Sequence, residues 1–358
     1  MKKLDWYILR KFLGTFVFIM ALLLSITIVI DLSEKIDPFV SNHATPKVII
    51  FDYYVYFLPY ITSLIGPFFV LVSVIFFTSQ LAARSEIIAI LNSGTSFYRM
   101  LWPYFVGSTI LATIFFLGNH YFVPYSNSKR IAFERTYVSK PLPGLRYNFH
   151  RMIEPGTIIY IENYKPSEKA GYKFSVDKFK NGKLVYKLLS DKIEWDSTKH
   201  RWQIHNYYIR ELNSNRDKIT SGALLDAKLA FSPDDIKFAE IFKDEMTTPQ
   251  LTAYINDMIK TGQPDVEFYE VEKYRRTSSA FSIYILTLIG VSLASRKVRG
   301  GLGWHLVLGI GLSALYEIIM KFSITFSTNS SLPPILGVWI PNLIYMGMAF
   351  YLMKTAPK

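Results

Sequence analysis

Apolar residues are not spread evenly along this chain; they gather in six long runs separated by polar stretches. The runs are 12–30, 56–79, 101–123, 278–294, 302–322 and 333–353, and only the fifth contains charge, at Glu317 and Lys321. At about 1.5 Å of rise per helical residue, runs of this length match a hydrocarbon core of about 30 Å. The pattern predicts six transmembrane helices, and an even number returns both termini to one side. The residues between 123 and 278 have mixed polarity and a different rhythm. Residues 156–161, 172–179, 183–189, 192–195 and 202–212 read as strands, rich in β-branched and aromatic side chains. Asn181-Gly182 between two of them is a two-residue hairpin turn, because both turn positions need positive φ. A polar turn falls at 196–199. Short strands in series suggest a sandwich or jelly roll. Thr248-Pro249 reads as an N-cap followed by proline at the first helical position, opening a short helix that stops at Gly262. From Asp265 a polar helical stretch runs into the fourth span. The expected organisation is therefore 1–123 for three spans, 124–264 for a β-jelly-roll-like domain with its connecting helix, and 265–358 for three more spans.

Charge orients this arrangement. Lys2, Lys3, Arg10 and Lys11, then Arg84 and Arg99, then Arg296, Lys297 and Arg299, then Lys354 and Lys358 all flank the same ends of the spans. The opposite short loops hold Lys35 and Lys47 among Asp31, Glu34, Asp37 and Asp52. Lys and Arg in short loops mark the cytoplasmic side. Both termini are expected there, with the large middle domain outside. The first run, though preceded by two lysines, is longer than a signal-peptide core and ends in Asp31-Leu32-Ser33-Glu34, so it is expected to remain as a span. Composition agrees: 50% of the 358 residues are hydrophobic against 19% charged, which does not suit a wholly soluble protein. The net charge of +12 follows largely from this topology; with no basic helix or RNP-like motif, nucleic acid is not the expected partner. The chain has no cysteine, so an exported domain must hold itself together without disulfides. His120 and His305 lie near span ends and read as structural.

The connection between the second and third spans, near 82–95, reads Ala-Ala-Arg-Ser-Glu-Ile-Ile-Ala-Ile-Leu-Asn-Ser-Gly-Thr. It predicts a short amphipathic helix capped near Ser85 and stopped at Gly94. It is either a helical turn lying at the interface or, with Ile87, Ile88, Ile90 and Leu91 as an apolar face beside Glu86, a helix that docks into a groove on a cytoplasmic partner. The Arg84-Ser85-Glu86 and Ser93-Gly94-Thr95-Ser96 pattern resembles the coupling helix of the LptF/LptG permease family. The stretch 251–262, the run from Glu267 to Arg276, Arg299-Gly300, the segment 308–312, Pro333-Pro334 and Trp339-Ile340-Pro341-Asn342 agree in order along essentially the whole chain. Trp6-Tyr7-Ile8, the strand at 158–163 and the Asn181-Gly182 hairpin incline the resemblance to the LptG type.

That resemblance implies a permease subunit of an ATP-driven exporter of lipopolysaccharide in the inner membrane. It implies a homologous LptF-type permease as partner, an LptB-type cytoplasmic ATPase dimer, a single-span LptC-type accessory and an LptA-type periplasmic bridge. It carries over Glu86 as the acidic residue of the coupling helix, with Arg84, Ile87, Leu91 and Gly94 around it. Lys35, just beyond the first span, is where such permeases hold cations thought to meet lipid A phosphates. Here Asp31, Glu34 and Asp37 crowd it, so an internal ion pair stands as the other reading. Glu317 and Lys321, at i, i+4 in the fifth span, either neutralise each other or line a substrate cavity, since charge inside a span is costly.

The chain carries no G-x-x-x-x-G-K-[ST], no H-E-x-x-H and no G-x-S-x-G. No cofactor is expected; ATP would be bound by a partner subunit, and the chain itself is not expected to be an enzyme. The rival from another class is a multi-span glycosyl- or phospho-transferase acting on lipid-linked sugars, with Asp31, Glu34 and Asp37 as its outer-interface carboxylates.

Overall fold

In a computed structural model of the chain, the described residues are 2–138, 146–212, 217–233, 236, 243–262, 266–296, 301–329 and 332–356. Asp265, Lys297, Arg299, Gly300 and Lys358, which entered the sequence reading, lie outside them. Contacts divide the chain into two compact units. One comprises Met1–Val138, Asp244–Pro249 and Glu267–Lys358, the other Ser139–Lys243 and Gln250–Val266.

The first unit is helical. Among the described residues six helices are long and apolar enough to span a bilayer: α1 (Lys3–Ser41), α2 (Pro46–Ala83), α4 (Phe97–Tyr137), α6 (Val266–Ala294), α7 (Gly301–Asn329) and α8 (Pro334–Thr355). A short helix, α3 (Glu86–Asn92), joins α2 to α4. Each helix outruns the apolar stretch that predicts it: α1 begins nine residues before Phe12, and α7 continues to Asn329. Polar residues at a span's ends are in water or headgroups, where helix costs them nothing extra. Single π-helical turns interrupt α2 at Ile49–Tyr54 and α4 at Gly118–Phe122.

Lipid tails are as apolar as leucine, so burial from water does not drive these helices together; close packing and interhelical hydrogen bonds do. Small residues provide the packing. A Cβ added at Gly290 of α6 would lie 2.8 Å from Val74 Cγ1 of α2, so the two backbones meet there. The α2 helix is central. Val70, Val74, Phe77 and Leu81 pack with Ile8, Phe12 and Phe16 of α1, with Met100, Tyr104 and Leu111 of α4, and with Ile283 of α6. On its other side Leu71 and Ile75 pack with Ile285 and Ile289 of α6, Tyr316 of α7 and Tyr345 of α8. Polar ties join the last three spans: the Tyr316 hydroxyl donates to Asn342 Oδ1 at 2.9 Å, and Asn342 Nδ2 donates to Ser278 Oγ at 2.7 Å. The outward faces of α1 and α7 remain apolar and exposed, as at Phe18, Leu22 and Val29, and at Val307, Phe322 and Phe326.

The second unit is built on one antiparallel sheet of six strands: β1 (Arg146–Glu154), β2 (Thr157–Lys165), β3 (Ala170–Lys180), β4 (Lys183–Asp196), β5 (Arg201–Glu211) and β6 (Lys218–Ala227). Each strand pairs with the next in sequence order. The described strands are thus a single meander, where sequence suggested a sandwich or jelly roll. Asn181 (φ 53°) and Gly182 (φ 75°) make the two-residue turn between β3 and β4. The stretches 183–189 and 192–195 prove to be one strand, while β1 and β6 carry no apolar alternation strong enough to be read. The helix α5 (Thr248–Lys260) closes on this unit, with the Met152 amide donating to the Thr261 carbonyl at 2.9 Å.

A row of kinks crosses the sheet. Asn148, Glu162, Lys173, Asp191, Asn206 and Ala223 fall between paired positions on the six strands, with regular pairing resuming on both sides. Lys173 and Asn206 are left-handed there, both at φ 52°. At this row the inward face changes parity. On β2, Thr157, Ile159 and Ile161 are buried, then Tyr164; on β4, Leu188 and Ser190, then Ile193. On β5, Trp202 and Ile204 are succeeded on the core side by Tyr207 and Ile209. A one-residue slip would normally turn a strand's apolar set to solvent. Here the pairing register is kept across the row and the parity changes at the same place on neighbouring strands, so the sheet keeps one continuous apolar face. Phe231 covers one end of it, stacked on Trp202 at 4.8 Å, with Trp202 Nε1 donating to the Phe231 carbonyl at 2.8 Å.

Candidate functional site

At the basic end of the helical unit, α3 is held by both of its neighbours. Ser85 takes φ 60° and Gly94 φ 83°, so left-handed residues break the chain on either side of a two-turn helix. Ser85 starts the helix through its backbone, its carbonyl accepting from the Ala89 amide at 3.0 Å, without a side-chain cap. Tyr7 Oη of α1 donates to Glu86 Oε2 at 3.1 Å. Nearby, Asp5 receives the Lys2 amide at 2.7 Å and pairs with Arg99 of α4 at 2.7 Å. These contacts tie the start of α1 to both α3 and the start of α4.

The apolar residues of α3 divide. Ile87 is 1% exposed and sits in the core with Leu81, Phe97 and Met100; Ile90 and Leu91 pack against that same cluster. Ile88 is 46% exposed and Arg84 is exposed. The face expected to meet a partner is thus partly turned inward. Ile87 and Leu91 anchor the helix, while Arg84, Ile88 and the half-buried Glu86 form its outer side.

The opposite ends of α1, α2 and α4 meet around charge. Lys35 Nζ pairs with Asp31 Oδ1 at 2.6 Å and with Glu134 Oε1 at 2.8 Å, and Arg130 pairs with Glu134 at 3.0 Å. The Tyr53 hydroxyl contacts Lys35 Nζ and donates toward the carboxylates of Asp31 and Glu134. Arg130 lies over the Tyr60 ring at 4.5 Å. Phe39, Tyr53, Tyr54, Phe57 and Phe133 wall the cluster. Two cations and two anions balance, and Lys35 is held by both carboxylates. Of the two sequence readings, this geometry contains the internal ion pair. Glu34 and Asp37 are exposed and not part of it, and no group of three His, Cys, Asp or Glu suited to a metal occurs among the described residues.

The α6 helix carries a second buried set. Glu272 is 4% and Arg276 3% exposed; they pair at 3.2 Å, Arg275 meets Glu272 at 2.8 Å, and Arg276 Nη1 donates to Thr248 Oγ1 at 3.1 Å. Glu317 and Lys321 lie on α7, Glu317 half-buried and Lys321 exposed, and no ion pair within 4 Å joins them among the described residues. Arg130, Glu134, Glu272 and Arg276 were not singled out from sequence. The available signal was opposite charges at i, i+4 next to an apolar run, which Asp31 and Lys35 also show.

Six apolar helices among the described residues, with a β-sheet unit inserted between the third and fourth and charge buried at the span ends, are the features of a multi-pass membrane protein. The family model "Lipopolysaccharide export system permease LptF/LptG" matches residues 6–355, and the chain belongs to that family. It is also similar to the lipopolysaccharide export system permease protein LptG of Haemophilus influenzae, at 24% identity over 126 residues. That similarity spans 35% of this chain and 35% of the relative's length.

Proposed function

We propose that this protein is the LptG-type permease subunit of an ATP-driven exporter in the inner membrane, with both termini cytoplasmic and the sheet unit in the periplasm. Its cargo is lipopolysaccharide, taken from the outer leaflet of that membrane. A homologous LptF-type permease pairs with it, and the exposed apolar faces of α7 and of α1 from Leu22 to Val29 are surfaces for that partner, for an LptC-type single-span accessory or for acyl chains. Lipid tails resist water at about 0.8 kcal/mol per CH₂. The continuous apolar face of the sheet offers them an alternative on the way to an LptA-type bridge. ATP is hydrolysed by an LptB-type dimer that meets the outer side of α3, where Glu86 and Arg84 are the contact residues and Gly94 lets the chain turn back. In this reading Glu317 and Lys321 line the cargo cavity.

The observation that carries the proposal is the match of the family model to nearly the whole chain. The test is affinity purification of the tagged protein in mild detergent, with mass spectrometry of proteins and lipids. A homologous permease, a soluble ATPase and lipopolysaccharide are expected. A lone chain carrying a polyprenyl-linked sugar would favour the transferase instead. Within a recovered complex, Glu86→Lys should leave ATP hydrolysis running but cut lipid release at least about ten-fold, the scale of a lost buried charge contact. Full export by that variant would remove Glu86 from the coupling role.

A further inference from the structure

The first four turns of α1 form one wall of a groove of about 680 Å³ whose chemistry is graded along its length. Lys3, Trp6, Tyr7, Arg10 and Lys11 line its polar end; Gly14, Thr15, Phe18 and Phe76 of α2 line the rest. Lys3, Tyr7, Arg10, Gly14 and Phe18 follow the spacing of one helix face. All five are exposed. Asp5, on the opposite and buried face, is neutralised by Arg99, whereas Lys3, Arg10 and Lys11 form no ion pair among the described residues. Glu86, the carboxylate bound to Tyr7, is outside the lining. Three cations without a counter-charge stand where the apolar run begins, above a slot lined by a glycine and two phenylalanines.

We propose that this groove binds one anionic glycerophospholipid from the leaflet at the basic end of the spans. Lys3, Arg10 and Lys11 take the phosphate, Trp6 and Tyr7 sit at headgroup level, and an acyl chain lies along Gly14 against Phe18 and Phe76. Cations and amphipathic rings interleave from Lys3 to Lys11 and the apolar wall follows from Gly14, as a polar headgroup is followed by acyl chain along such a lipid, and aromatic rings of this kind settle at the interface. A docked protein helix would need apolar anchors at the cationic end too, and that end offers none beyond Trp6 and Tyr7. The Tyr7 hydroxyl is shared with Glu86, so an occupied groove also steadies α3. None of this depends on what the protein exports.

The experiment uses the full chain in nanodiscs of phosphatidylglycerol and phosphatidylcholine in equal amounts, released and weighed by native mass spectrometry. One retained phosphatidylglycerol is expected, enriched at least about five-fold over phosphatidylcholine, the attraction of a single cation near an anionic surface. Two variants separate the groove from general charge. Lys3→Gln/Arg10→Gln/Lys11→Gln removes the cations. Gly14→Trp fills the slot and keeps them, and it is sterically open because a Cβ on Gly14 meets nothing within 4 Å. Both should lose the retained lipid while remaining monodisperse. Equal retention of the two lipids overturns the proposal. So does enrichment that survives Gly14→Trp, which would be diffuse attraction to the basic surface. Lipid loss on adding a purified ATPase subunit, with Lys3 and Lys11 then shielded from amine labelling, would make the groove a protein interface and overturn it as well.

Discussion

Lys35 shows how a residue's identity can be legible while its role is not. Its position among acidic neighbours at the end of a span is plain in the sequence, but its second partner, Glu134, is 99 positions away on α4. Only the packing of Phe39, Tyr53 and Phe133 brings the two together. Removing one member of a buried ion pair strands the other, at about 3 kcal/mol. Lys35→Met leaves Asp31 and Glu134 facing each other, with Arg130 the other cation paired to Glu134 among the described residues. We expect a clear fall in the unfolding temperature of the purified protein in detergent, measured by tryptophan fluorescence. If stability is unchanged and lipopolysaccharide capture is lost, Lys35 is a phosphate ligand and the ion pairs are incidental. The same reasoning explains what was hidden at Glu272 and Arg276. Their i, i+4 spacing reads as an exposed helix pair, and only tertiary contact makes them buried.

At the scale of elements, helices were easier to read than strands. Six apolar runs of bilayer length have no other economical solution, because each backbone group must be satisfied within its own segment. Strands satisfy one another across the sheet, so the local pattern shows only part of the answer. β1 and β6 lack a readable apolar alternation, and β4 reads as two pieces because the parity change at Asp191 looks like an ending. The kink row is a property of six strands at once and has no signature in any one of them, except Asn206, whose side chain tolerates the left-handed region. Asn206→Val places a β-branched residue there and should destabilise the sheet unit by about 1–2 kcal/mol, whereas Asn206→Gly should be close to neutral. Amide hydrogen exchange on β4 and β5 in the full protein checks this; equal protection in both variants would mean the row is not under backbone constraint. In the helical unit the corresponding point is Gly290. Gly290→Leu drives a side chain into Val74 and Leu71 and should cost about 1–3 kcal/mol by overpacking, seen as a lower unfolding temperature in detergent. An unchanged transition would mean α2 and α6 separate readily.

For the whole molecule, charge asymmetry and span count together make a claim about sidedness. Basic residues flank the termini and α3, and the sheet unit is inserted after the third span. If each apolar helix crosses the bilayer, three spans separate the terminal side from the sheet, and α3 and the sheet are expected on opposite faces of the membrane. The chain contains no cysteine, which makes single introduced thiols unambiguous reporters. Ser93, next to α3, and Thr198, in the turn between β4 and β5, are both exposed, and neither lies in a packed core. Ser93→Cys should react with a membrane-impermeant maleimide only in inverted membrane vesicles. Thr198→Cys should react only in right-side-out preparations with the outer face open. The positive-inside bias predicts both the opposition and its direction. Reversed labelling of both sites would keep six spans and invert the orientation, removing the basis for an ATPase docked at α3. Labelling of both from one face would require an even number of crossings between them. In that case α4 does not span, and the division of the chain into a membrane unit and an external sheet would have to be redrawn from its third helix onward.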